Sequence, residues 1–126
     1  MTYAIAYNAS DHIIELKVQG NLTLQGVKEF VYELVKVSKE QNCYSILNDM
    51  RQATIKLSTL EIYELPAILS DIAASSGLDI HKFRRAFVTQ NEQDNLIFFE
   101  NVSVNRSQNA KYFIDIDEAR KWLIGK

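Results

Sequence analysis

The residues best placed for chemistry lie in one run, Tyr44-Ser45-Ile46-Leu47-Asn48-Asp49-Met50-Arg51, where strand-forming side chains lead straight into an amide, an acid and a base. A parallel α/β sheet presents its functional groups at the carboxyl ends of its strands, so Asp49 and Arg51 mark the mouth of such a sheet. Ser58 and Thr59 follow at a helix start, where free amides and the helix dipole favour an added phosphate. These four residues form the candidate partner-binding set. A second basic cluster, His81-Lys82-Phe83-Arg84-Arg85, has the chemistry to hold a phosphate, a carboxylate or an acidic partner. Its simpler reading is a solvated approach to a strand, with one arginine paired to Asp79 or to an acid at the sheet edge.

Other chemistry is harder to assemble. His12 and His81 are far apart and Cys43 stands alone, so no metal site is expected. Cys43 has no basic neighbour in sequence to make it reactive and reads as a small packed side chain. There is no Gly-x-Ser-x-Gly elbow. Gly20, Gly26, Gly77 and Gly125 never cluster into a phosphate cradle, which argues against the common nucleotide-binding modes. The sequence therefore leads us to expect no catalytic residue, no cofactor and no enzyme. An apolar pocket is the remaining candidate, lined by Leu96, Phe98 and Phe99 from one helix and by Tyr63, Leu65 and Ile68 from another.

The elements that must position these groups fit in one domain spanning residues 1–126. A chain of this length buries roughly two thirds of its unfolded surface, enough for a core without staples. Lys and Arg total 14 against 16 Asp and Glu, a net charge of -2, so no global field draws in nucleic acid or an anionic membrane. A lone cysteine excludes an intrachain disulfide and suits a reducing compartment. The first residues lack a basic leader, and no apolar run approaches the ~20 residues of a membrane span. The expected location is cytoplasmic.

Tyr3–Tyr7 reads as a short strand. Ile14, Leu16 and Val18 then alternate with Glu15, Lys17 and Gln19, as in a half-buried strand that pairs with the first and ends at Gly20. Thr23 caps a helix over residues 24–41, and the charged-ended strand occupies about 44–49. Ser58-Thr59-Leu60-Glu61 has the form of a capping box. Pro66 should split or sharply kink the helix that follows, and Gly77 should close it. Arg85–Thr89 is a strand and Lys111–Asp115 is the last strand; between them Ile97-Phe98-Phe99 alone could equally be a strand, but the alternation of elements favours a helix capped by Asn91 and carrying Leu96, Phe99 and Val102. Asp117 then caps a helix over 118–123 with Ala119, Trp122 and Leu123 inward. The order ββαβαβαβα describes an α/β fold: a single mixed, mostly parallel sheet of about five strands flanked by about four helices.

Ile46-Leu47-Asn48-Asp49-Met50-Arg51-Gln52-Ala53 resembles the "leucine, x, aspartate, hydrophobic, arginine, x, alanine" strand end of SpoIIAA-like proteins of the STAS superfamily. Arg85-Ala86-Phe87-Val88 resembles their next strand, and Phe113 through Leu123 resembles their closing strand, acidic cap and Ala…Trp-Leu helix. The resemblance implies a sheet flanked by helices that serves as a non-enzymatic switch binding a protein partner. In anti-sigma-factor antagonists that switch is a serine phosphorylated by the partner kinase, within an Asp-Ser-x-Gly signature. Here Asp49 is followed by Met50, Arg51 and Gln52, so Asp49 alone carries over and Ser58 lies several residues away. The CRAL-TRIO lipid binders, of similar architecture, keep an apolar ligand between helices and sheet.

The expectation is thus a regulatory, protein-binding module of STAS type using Asp49, Arg51, Ser58 and Thr59. The alternative is a small lipid-like-ligand binder using the pocket between helices and sheet. A homodimer, through the first strand or an apolar helix face, is compatible with so small a domain.

Overall fold

A computed structural model describes residues 1–125. The elements are β1 (Thr2–Asn8), β2 (Ile13–Leu22), α1 (Leu24–Gln41), β3 (Ser45–Ile55), α2 (Thr59–Ser75), a 3-10 turn (Ile80–Lys82), β4 (Arg84–Val88), α3 (Asp94–Asn105), β5 (Asn109–Phe113) and α4 (Ile116–Gly125). They form one five-stranded sheet in the order β1-β2-β3-β4-β5. Only β1 and β2 pair antiparallel; every later pair is parallel. This is the mixed sheet and the element order expected from the sequence.

The topology decides where the helices go. The sheet grows in one direction, and parallel crossovers are right-handed, so the three crossover helices α1, α2 and α3 fall on the same face. Their core joins Val27, Phe30 and Leu34 of α1, Leu65 and Leu69 of α2 and Phe99 of α3 to Ile14, Leu16, Ile46 and Met50 of the sheet. The other face has α4 alone, where Ala119 and Leu123 pack on Ile13, Leu47, Ala86 and Val88. The Arg84 guanidinium lies 3.9 Å from the centre of the Trp122 ring. Its Nε and Nη2 also donate to the Trp122 carbonyl, fastening α4 to β4.

Several boundaries differ from the sequence reading. β2 does not stop at Gly20: the residue sits at φ +89 within the strand, and Gly20, Asn21 and Leu22 pair with Ala53, Thr54 and Ile55. They can do so because β3 runs on to Ile55, past the end expected at 49. α2 is one helix through Pro66, not two, since a buried proline flanked by inward Leu65 and Leu69 is held by packing against the loss of one helical hydrogen bond. Asn91 does not cap α3, which starts at Asp94 behind Gln93; its carbonyl instead accepts from Thr89 Oγ1 and the Tyr112 hydroxyl. Asp115, rather than Asp117, caps α4, its Oδ1 accepting from the amides of Asp117 and Glu118. β4 and β5 begin one and two residues earlier than expected.

Candidate functional site

Asp49 occupies a junction in the sheet. It is the last residue of β3 paired to β4, opposite Val88; beyond it β3 continues for six residues beside β2 alone. At that junction three steps of β3, Asp49 to Gln52, match two of β2, Lys17 to Gln19. The extra residue is a bulge, which re-phases the strand. Ile46, Asn48 and Met50 face α1–α3 before it, and Ala53 and Ile55 pack on that same core after it. Asp49 shares the α4 face with Leu47, and Arg51 folds back onto it.

The acid and base expected to form the mouth of a site satisfy each other. Asp49 Oδ1 accepts from the Arg51 amide at 3.1 Å and from Arg51 Nε at 2.9 Å, and Oδ2 accepts from Nη2 at 2.8 Å. This two-pronged arrangement is the strong form of the arginine–carboxylate pair. The Arg51 hydrogen bond holds the Asp49 carboxyl below the usual carboxylate range against the opposing effect of burial, and Lys17 across the ladder adds to it. Asp49 in turn raises Arg51. A carboxylate so stabilised is a poor proton acceptor.

Ser58 and Thr59 stand at the amino end of α2, on the opposite face of the sheet from Asp49 and Arg51. Ser58 Oγ accepts from the Glu61 amide at 3.1 Å, and Glu61 Oε1 accepts from the Ser58 amide at 2.8 Å, the complete capping box. Glu61 thus already supplies the negative charge that this helix end favours. Thr59 lies over a shallow depression with Ile62, Asp94, Asn95 and Phe98. The four residues named from the sequence therefore form two separate pairs. Leu60 and Tyr63, beside the capping box, are 66% and 52% exposed.

Between α1–α3 and the sheet lies a cavity of about 80 Å³. Leu65, Leu96 and Phe99 of the sequence-named pocket residues line it. Phe98 belongs to the shallow depression, and Ile68 is half-buried outside the wall. Tyr63 points outward, with the Arg106 guanidinium 5.9 Å from its ring centre. The wall is otherwise apolar except for Asn48, Asn95 and Arg85.

Arg85 is the residue that sequence reasoning missed. Far from being a solvated approach, it is 5% exposed. Its Nη2 donates to Gln108 Oε1 at 3.0 Å, and Gln108 Nε2 donates to the Pro66 carbonyl at 2.9 Å. Nε and Nη1 have no hydrogen-bond partner among the described residues. Burial pushes the guanidinium down to about 10, which still leaves it charged at neutral pH. Nor does either arginine of the basic cluster pair with Asp79, which binds His81 instead through the amide and Nδ1. Arg85 and Phe87 alternate with Ala86 and Val88 in a strand that the sheet order places between two others, and a central parallel strand is buried on both faces.

No protein-family model matches the sequence, and no curated protein matches it either. Solved structures do match. The anti-sigma factor antagonist SpoIIAA in its unphosphorylated form aligns with a TM-score of 0.56 at 9% identity, over 99% of this chain and 100% of that one. An uncharacterised DUF3478-family protein with a SpoIIAA-like fold from Shewanella loihica aligns at 0.55 and 21% identity, over 97% and 92%. An anti-sigma factor antagonist from Mycobacterium paratuberculosis aligns at 0.56 and 9% identity, over 97% and 94%. At these identities the likeness speaks to architecture, and the architecture is that of a SpoIIAA-like, STAS-type fold.

Proposed function

We propose that this chain is a non-enzymatic regulatory module that works by binding a protein partner at the amino half of α2. The observation that carries the reading is the exposure of Leu60 and Tyr63 next to the Ser58 cap, in a fold shared with anti-sigma factor antagonists. Large apolar side chains set among polar ones are what a partner desolvates first. Catalysis has weaker support: Asp49 is neutralised by Arg51, and burial raises the Cys43 thiol, which donates to the His12 carbonyl. The test is affinity capture with the intact chain, followed by identification of what is retained. A specific protein should be held by the wild type and lost with Leu60→Asp plus Tyr63→Ser, at unchanged thermal stability. Equal retention by the variant would sink the reading.

The cavity favours a second reading, in which the module holds a small apolar ligand between helices and sheet. Its support is the apolar wall shared by all three crossover helices.

A further inference from the structure

We infer that the cavity binds a small carboxylate with an apolar body, whose charge is met by the Arg85 guanidinium. This rests on the second reading above and adds to it the charge and the size of the ligand.

Charge comes from Arg85. Among the described residues its Nε and Nη1 have no acceptor, no carboxylate lies within salt-bridge distance, and the other unpartnered buried side-chain atoms are two serine hydroxyls, of Ser38 and Ser103. Arg85 is therefore a buried cation beside an apolar space, with two of its donors unpartnered. Guanidinium does not escape this by losing its proton, so the interior calls for an anion. A single guanidinium matches a monoanion; a dianion would find no second cation in the wall, whose other polar members are Asn48 and Asn95.

Position comes from Gln108. Its amide bridges the Pro66 carbonyl and Arg85 Nη2, so α2 and the residue before β5 together orient the guanidinium with its remaining donors unengaged. Gln108 is a positioning residue, anchored on the Pro66 carbonyl of α2.

Size comes from the cavity. At roughly 10–15 Å³ for each water-sized occupant, 80 Å³ admits roughly five to eight non-hydrogen atoms. A short aliphatic acid such as hexanoate fits at the upper end of that range, while a full acyl chain does not. Phe87, Leu96 and Phe99 would cover its body.

The test is calorimetric titration of the intact chain with hexanoate and, separately, with hexanol. Hexanoate should bind with a Kd on the order of 1 mM or tighter, as befits so small a ligand, and about tenfold or more tighter than hexanol. Arg85→Met should bring hexanoate down to the hexanol level while hexanol is unchanged. Gln108→Leu should weaken hexanoate severalfold with the same indifference to hexanol. Equal affinity of the wild type for the two compounds would overturn the carboxylate assignment and leave the apolar-ligand reading standing. If neither binds, both readings fall. The wild-type comparison decides the question even where Arg85→Met does not fold, and tighter binding of dodecanoate than of hexanoate would overturn the size limit.

Discussion

Asp49 and Arg51 act on each other before they act on anything else, and that has a measurable consequence. A carboxyl whose folded pKa is lowered contributes stability that is fully present above its unfolded pKa and is lost as pH falls through the folded value. Asp49→Asn should therefore cost about 1 kcal/mol at neutral pH, given a half-exposed arginine partner, and the difference from wild type should vanish below the carboxylate range. Urea unfolding at the two pH values checks it; a difference that grows in acid would contradict the pairing. Ser58→Ala should cost about 1 kcal/mol by opening the capping box, read in the same experiment. At this scale the sequence was legible where the signal is local: the Thr23 cap and the Ser58–Glu61 box are set within four residues. It was not legible at Arg85, because the partner Gln108 is 23 residues away and the charge is buried by strands that only the topology brings alongside.

The elements show where tertiary structure overrides local preference. Pro66 and Gly20 both read as breaks, and neither ends its element, since packing holds the one and the long β2–β3 ladder holds the other. Alternation gave β2 and helical spacing gave α1 because each presents one face to the core. The bulge at Met50–Arg51 left no sequence mark that separates it from a strand end, so the charged residues there looked like a terminus. Arg84 links elements in a way that can be tested. Arg84→Ala removes the stacking on Trp122 and two hydrogen bonds to its carbonyl, and should destabilise by about 1–2 kcal/mol. Unfolding with an unchanged midpoint would mean that α4 is held by its other contacts, Ala119 and Leu123 in the core and Arg120 on Asp11 and Glu15.

For the whole molecule, a sheet laid down in chain order gives three helices to one face and one to the other. The crowded face holds the cavity and carries the exposed start of α2; the α4 face holds the closed Asp49–Arg51 pair. None of the described helices is long and apolar enough to cross a membrane. The proposed partner surface lies at one edge of one face, and that proposal is open to direct measurement. Hydrogen–deuterium exchange should be followed on the chain alone and in complex with the protein it captures. The account predicts slowed exchange across residues 58–64, with α4 unaffected. Slowing confined to α4 and the Asp49–Arg51 segment, with the start of α2 exchanging as before, would contradict it.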